Sequence, residues 1–322
     1  MLKLARHVTL RQLQIFEAIG RLKNFSRAAE ELFLTQSTVS TQVKHLTEIS
    51  GMPLVEVVGK KTNLTEAGEI LYQTCLDVIS RLDNTDMAFS DLKGIKTGTL
   101  KLSVISTAKY FAPEVLGKFW QQYPDIEVSL DVNNKGNVLQ RIINNEDDLY
   151  ILGHNPPKEL DINAIAFAAN PIYVMASKEH PLAKQKKRIS LKQLAEHPLI
   201  FREAGSGIRD VIEKLFAAKG LKPSVRMVLS NNEAIKHALI GQLGISVLSL
   251  HTILLEGAKG PIALLNVEGF PVQRKWHLVY RKGKELSVVA KAFVDFLHEE
   301  GRRLSDQVDE LAQQIDPRKT GK

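Results

Sequence analysis

The chain has one cysteine, Cys75, in 322 residues. That excludes an intrachain disulfide and suits a reducing compartment. No continuous apolar stretch follows the basic residues near the N-terminus, so a signal peptide is not expected. The most apolar window, 238–255, is interrupted by Gln242, two glycines and His251, and reads as core, not as a membrane span. A glycine-rich phosphate loop, a zinc-spaced His/Cys cluster and an obvious nucleophile–base pair are all missing, and the nine histidines are scattered. These absences argue against a catalytic residue set, a metal site and a membrane segment. The expectation is a cytoplasmic protein that is not an enzyme and holds no cofactor.

What is present is ordinary globular composition, 44% hydrophobic and 25% charged. At this length the chain buries a sizeable core and divides into two or three domains. The net charge of +7 permits a polyanionic partner without proving one. Up to Thr65 there are nine Lys and Arg against five Glu, but further basic groups at 184–188 and 274–284 spread the excess along the chain. Those later runs read as solvated surface.

The most informative stretch is 35–46. Val39, Val43 and Leu46 fall at i, i+4 and i+7 and form one apolar helical stripe. Gln36, Ser37, Thr38, Ser40, Thr41, Gln42 and Lys44 cover the remainder, and Thr35 is placed to cap the first turn. A surface helix would ordinarily carry Glu and Lys there. This one carries amides and hydroxyls, the groups that bond base edges and phosphates. Before it, a helix spans about 9–23 with Leu10, Leu13, Phe16, Ile19 and Leu22 as its buried face. Asn24-Phe25 breaks it, Ser26 caps a short helix over 27–32, and Phe33-Leu34 turns the chain. Helix, tight turn and polar-faced helix make a helix-turn-helix at about 26–45, within a DNA-binding domain of 1–65. The β-branched run 54–58, the basic turn 59–63 and Leu64-Thr65 complete a winged variant, with Lys60 and Lys61 near phosphate.

A long helix follows over 66–93. Leu71, Cys75, Val78, Leu82, Thr85, Phe89 and Leu92 are spaced 4, 3, 4, 3, 4, 3, an a/d seam that predicts pairing with a second copy. Cys75 reads as a small apolar seam residue, with redox sensing a remoter reading. Residues 93–98 form a hinge by composition. Strands and helices then alternate in two βαβαβ units, which predicts two parallel-sheet subdomains around a cleft. The first covers 98–166 and 268–300, the second 167–267. A charged, glutamine-rich exposed tail takes up 301–322.

The sequence Thr35-Gln36-x-x-Val39-Ser40-x-Gln42-x-x-x-Leu46, preceded by 25–30 (Phe-Ser-Arg-Ala-Ala-Glu) and followed by 64–68 (Leu-Thr-Glu-Ala-Gly), resembles the LysR-type transcriptional regulators. Within that family the segments 7–18, 42–44 and 103–113 are similar to the CbbR and CmpR group, which regulates carbon-fixation (RuBisCO and Calvin-cycle) and inorganic-carbon uptake genes. The resemblance implies a winged helix-turn-helix, a coiled-coil linker helix and a periplasmic-binding-protein-like effector domain of two α/β subdomains. It implies double-stranded DNA at inverted repeats as partner, a dimer or dimer-of-dimers tetramer, and RNA polymerase as a further partner. It adds Arg27 to the DNA-contacting residues. Where the family usually has proline and alanine this chain has Ser37 and Thr38, and where it usually has phenylalanine and arginine at the wing this chain has Val55 and Val57.

In the expected cleft, Ser106 and Thr107 end one strand, and Arg202 and Ser206 flank the matching helix start. Hydroxyls and free N–H groups at helix N-termini bind anions, and the carboxyl ends of parallel strands are where such sheets take ligands. The blander reading of the hydroxyls is simple capping. The resemblance points to the same positions and adds Asn134, Asn137 and Asn232, while the family's threonine is Ile208 here. Arg202 has two readings, a bidentate clamp on an acidic ligand or a structural pair with Glu203. The small-molecule candidates that the resemblance supplies are ribulose 1,5-bisphosphate, 2-phosphoglycolate, 2-oxoglutarate and NADPH. The alternatives are a LysR-type regulator of an amino-acid, nitrogen or sulfur operon and, more remotely, an enzyme of periplasmic-binding-like fold.

Overall fold

The computed structural model describes residues 3–58, 61–92, 97–157, 159–185 and 187–315. The chain divides near Lys93 into two compact units, each built on its own core.

The first unit opens with helix α1 (Lys3–His7) and α2 (Leu10–Leu22). Thr9 caps α2 in a capping box with Gln12, and Lys23 ends it in the left-handed conformation. The buried face of α2 is Ile15, Phe16, Ala18 and Ile19, whereas Leu10 is exposed. Leu13 and Leu22 are partly buried against the same core, while Ala18 and Gly20 join the buried face without any hydropathy signal. Asn24, read from sequence as part of a break, is the cap of α3 (Phe25–Glu31), accepting from the Arg27 N–H at 3.0 Å; Ser26 lies inside the helix. α4 (Gln36–Ser50) starts at Thr35, whose Oγ1 accepts from Thr38 N–H at 3.2 Å, and ends at Gly51 with φ of 70°. Val39, Val43 and Leu46 are buried together with the apolar faces of α2 and α3.

A two-stranded ribbon follows, β1 (Val55–Val58) antiparallel to β2 (Lys61–Leu64). Lys61, Thr62 and Asn63 are strand, not turn; Gly59 and Lys60 lie outside the described residues. α5 (Glu66–Leu92) is capped by Thr65, whose Oγ1 also donates to Pro53 O at 2.6 Å. Gly68 is required here: a Cβ would stand 1.9 Å from the Leu54 carbonyl oxygen. The first part of the heptad stripe is spent locally, since Leu71 and Cys75 are buried in the first unit's own core. Leu82 and Phe89 are exposed, as is Thr85, and Val78 is half-buried. The available seam is therefore the second half of α5; residues 93–96 lie outside the described residues.

The second unit has two lobes, each on a five-stranded mixed sheet. Its elements run β3 (Gly98–Ile105), α6 (Ala112–Gln122), β4 (Ile126–Asn133), α7 (Lys135–Ile143), β5 (Leu149–Leu152), β6 (Ile162–Ala169), β7 (Ile172–Ser177), α8 (Leu191–Ala195), β8 (Leu199–Arg202), α9 (Gly207–Ala218), β9 (Val225–Leu229), α10 (Asn232–Ile240), β10 (Ile245–Ser249), β11 (Ile262–Leu264), β12 (Lys275–Arg281) and α11 (Val288–Ile315). Strand order is β4-β3-β5-β12-β6 in the first lobe and β11-β7-β10-β8-β9 in the second. β3, β4 and β5 are parallel, as are β8, β9 and β10, but β12 and β7 run antiparallel to their neighbours. The purely parallel expectation fails at the strands that enter from the other lobe. The span 165–176 covers two strands in different sheets, joined at Asn170-Pro171.

The expected exposed tail from Gly301 is instead the second half of α11 as far as Ile315; residues 316–322 lie outside the described residues. Phe293 and Phe296 pack on Phe119 of the first lobe, with ring centroids 5.0 and 5.4 Å apart. Gly301 then passes against the Phe167 backbone, where a Cβ would be 2.1 Å from the carbonyl oxygen. Beyond it Val308, Leu311 and Ala312 are buried in the second lobe's core. Charged letters dominate that segment by number, yet its i, i+3/i+4 apolar positions suffice to bury one stripe.

Candidate functional site

On α4, Gln36, Ser40 and Lys44 recur every four residues on an exposed face flanking the buried stripe. Ser37, Thr38 and Thr41 are also exposed. Their hydroxyls are engaged within the helix: Thr35 Oγ1 lies 2.9 Å from Ser37 Oγ and 2.8 Å from Thr38 Oγ1, and Thr41 Oγ1 donates to Ser37 O at 2.9 Å. Gln36 Oε1 accepts from Ser26 Oγ at 3.3 Å, which leaves its amide donors facing outward. Gln42 is half-buried and accepts from Gln12 Nε2 at 3.0 Å. The same Gln12 nitrogen lies 2.8 Å from His45 Nδ1, so a buried amide of α2 sets two side chains of α4. Neither Gln12 nor His45 stood out in the sequence, because a lone amide within an amphipathic helix carries no distinctive pattern. Arg27 is exposed on α3. Nothing is described for Lys60 or for the Lys61 side chain.

The second unit holds a narrow cleft between its lobes, with about 30 Å³ of free space, lined by residues of both sheets. Ser106 and Thr107 line it from the end of β3, Gly153 and His154 from the end of β5, and Ser206, Gly207 and Ile208 from the start of α9. Lys135, Asn170, Arg202, Glu203, Ser249 and Arg274 complete the polar wall. The sequence-predicted hydroxyls are thus brought together, and simple capping does not account for them. Neither Thr107 nor Ser206 makes a side-chain cap bond to its helix. Ser106 Oγ accepts from Arg202 Nη2 at 3.1 Å.

Arg202 is 3% exposed and saturated from within. Its Nε and Nη2 clamp the Glu203 carboxylate at 2.7 and 2.9 Å, and Nη1 donates to Asn232 Oδ1 at 2.5 Å. Of its two sequence-based readings, the pair with Glu203 is the observed one. Asn232 is buried behind Arg202 and does not line the cleft. Asn134 and Asn137 are also absent from the wall: Asn134 Oδ1 accepts from Asn137 N–H at 2.8 Å at the exposed start of α7. The helical turn carries both asparagines away from the cleft and presents Lys135 instead, whose Nζ pairs with Asp210 Oδ2 across the cleft at 2.8 Å. A second contact between the lobes is Tyr110 Oη donating to Glu233 Oε1 at 2.5 Å.

Arg274 is the residue that sequence reasoning missed. It was assigned to a solvated basic run, yet it stands half-buried in the cleft wall, its guanidinium making one described bond, Nη1 to Gly207 O at 3.2 Å. Burial without a described carboxylate partner pushes its guanidinium down to about 10. His154 Nδ1 is likewise buried with no partner. A desolvated cation, an unpartnered imidazole nitrogen, two uncommitted hydroxyls and the first turn of α9 converge on one volume. That arrangement favours an anion. Among the described residues no group of three or more His, Cys, Asp or Glu is placed to hold a metal ion.

Residues 10–69 match the bacterial regulatory helix-turn-helix family of lysR type, and residues 93–302 match the LysR substrate binding domain. The chain belongs to the LysR family. It is 51% identical over 292 residues to the HTH-type transcriptional activator CmpR of Synechocystis sp., covering 91% of this chain and 95% of that protein. It is 45% identical over 292 residues to the RuBisCO operon transcriptional regulator of Acidithiobacillus ferrooxidans, covering 91% and 94%. Among solved structures it is similar to the Synechocystis CcmR regulatory domain in complex with 2-PG, with a TM-score of 0.61 and 44% identity over 64% of this chain and 98% of that one. As a LysR-family member the chain is a DNA-binding transcriptional regulator, and no helix among its described residues is long and apolar enough to cross a membrane.

Proposed function

We propose that this LysR regulator controls carbon-fixation or inorganic-carbon uptake genes and is switched by a small phosphate-bearing carboxylate, 2-phosphoglycolate being the first candidate. The observation that carries the reading is the cleft wall of Ser106, Thr107, Ser206, His154 and Arg274, whose donors face inward without an anionic partner on Arg274. Similarity to CmpR, to a RuBisCO operon regulator and to a domain bound to 2-PG supports the choice of ligand and genes. The ligand's anion would draw Arg274 and the α9 N-terminus onto itself and compete with the Lys135–Asp210 pair, changing how the lobes close. α4 enters the major groove with Gln36, Ser40 and Lys44 foremost, while Ser37, Thr38, Thr41, Gln42, Thr35 and Arg27 support or extend that contact. Lys60 and Lys61 add phosphate contacts from the wing. Two copies paired through α5 read an inverted repeat, two dimers form the tetramer, and RNA polymerase is the further partner in activation.

Calorimetric titration of the full chain with 2-phosphoglycolate, ribulose 1,5-bisphosphate, 2-oxoglutarate and NADPH tests the ligand. One of them binds, and Arg274→Gln weakens it about 10- to 100-fold, the worth of a charge-assisted bond. Silence across all four removes the assignment. For DNA, a gel shift with the intergenic fragment upstream of the regulated gene should be lost in the Gln36→Ala, Ser40→Ala double variant while its circular dichroism stays native.

A further inference from the structure

Phe33 stands in the turn between α3 and α4 with φ of 56° and 96% of its surface exposed. Both facts are unusual for phenylalanine, and together they form one problem. The turn is a Schellman closure: Leu34 N–H donates to Ala29 O at 2.8 Å and Phe33 N–H to Glu30 O at 3.2 Å. The position Phe33 occupies is the left-handed one that glycine normally fills, because a Cβ there meets the neighbouring carbonyl. Phenylalanine costs backbone strain and exposed apolar area here, and among the described ring contacts none involves Phe33 to offset it. Nor is the turn a loose tip. Leu32 and Leu34 on either side pack into the core of the first unit, and Arg11 Nη2 donates to Leu32 O at 3.1 Å. The ring is held outward by a rigid frame, two residues before the Thr35 cap and beside the exposed face that begins at Gln36.

We infer that Phe33 is an apolar DNA-contacting residue, its ring lying on the deoxyribose face at the lip of the groove that α4 enters. The inference rests on the placement of α4 in the major groove. A helix inserted by its N-terminal end brings the preceding turn down onto the sugar–phosphate edge. There a flat hydrocarbon ring removes both its own surface and that of the sugar from water. The contact carries no charge. It therefore adds affinity without adding to the number of counterions released, unlike Lys44 or the wing lysines.

The test uses the full chain and the same intergenic fragment. Phe33→Gly and Phe33→Asn relieve the left-handed strain, so their melting temperatures equal or exceed that of the parent. Their DNA affinity falls about tenfold, as expected for losing one buried aromatic contact, with the slope of affinity against salt unchanged. Phe33→Tyr retains affinity. Lys44→Ala serves as contrast, lowering the salt slope by about one ion. Affinity of Phe33→Gly and Phe33→Asn within twofold of the parent, with the Gln36→Ala, Ser40→Ala variant still failing to bind, overturns the inference and leaves the placement of α4 intact. If none of these variants loses DNA, the placement of α4 fails as well. Loss of the dimer instead of DNA affinity, read by sedimentation, would assign the ring to a second copy and overturn the inference too.

Discussion

Ser37 and Thr38, the two departures from the family at the front of α4, turn their hydroxyls back onto Thr35 and so strengthen the helix start in the free protein. Cys75 shows the same use of chemistry for structure. It is fully buried, and burial pushes its thiol up to about 12, far from the range of a reactive thiolate. The native protein should leave Cys75 unmodified by a thiol-specific chromophoric reagent over hours and react only after denaturation; rapid native modification would restore the redox reading. His251 is the residue where pH should be felt. It is 1% exposed, takes the Trp276 Nε1–H at 3.0 Å on Nε2, and leaves Nδ1 without a partner. Burial pushes it down from 6.5 to about 4. Between those values the unfolded chain takes up a proton that the folded one refuses, so stability is lost as pH falls from about 6.5 toward 4. The full effect is on the order of 3 kcal/mol. Thermal melts at pH 7 and pH 5 should differ less for His251→Gln than for the parent.

At the scale of elements, α11 is one rigid rod serving two lobes. Its first half packs on Phe119 and β6, Ser305 Oγ accepts the Ala169 N–H at 3.0 Å, and its last turns close the second lobe's core. Leu311→Ala should cost about 2–3 kcal/mol in urea unfolding followed by far-UV circular dichroism, the toll of an emptied core site. A solvated tail would show no change. The recognition helix, its cap and the a/d stripe of α5 were legible because they are local: a 3.6-residue period, a Thr at the boundary and a Gly at the far end. The caps at Asn24 and Asn134 and the full buried face of α2 were not. Those depend on which neighbour the helix meets, and small residues such as Ala18 and Gly20 mark close approach without raising hydrophobicity.

For the molecule as a whole, the proposed pairing of two copies falls to the exposed half of the α5 stripe. Leu82 and Phe89 are open to solvent while Leu71 and Cys75 are already used. Leu82→Glu with Phe89→Glu should convert the dimer to a monomer in analytical ultracentrifugation without loss of helicity. A variant that stays dimeric would move the pairing surface off α5. Within the second unit, lobe closure rests on the polar spans Lys135–Asp210 and Tyr110–Glu233 and on Asn170. Asn170 donates to Gly153 O at 3.1 Å in one lobe and accepts from Ser249 Oγ at 2.6 Å in the other. Under the proposed function, these are the bonds that the anion would rearrange.

The sequence alone determined the family, the winged helix-turn-helix and the hydroxyls that follow β3 and β8, because each is written in residues adjacent along the chain. Only the tertiary structure decided which cation stands uncommitted in the cleft. Arg202, at the expected position, is consumed by Glu203 and Asn232, while Arg274, hidden in a run of surface bases, comes to the cleft because the chain crosses back between the lobes just before it. A buried charge is defined by what surrounds it, and its surroundings here come from segments more than sixty residues away, such as Gly207.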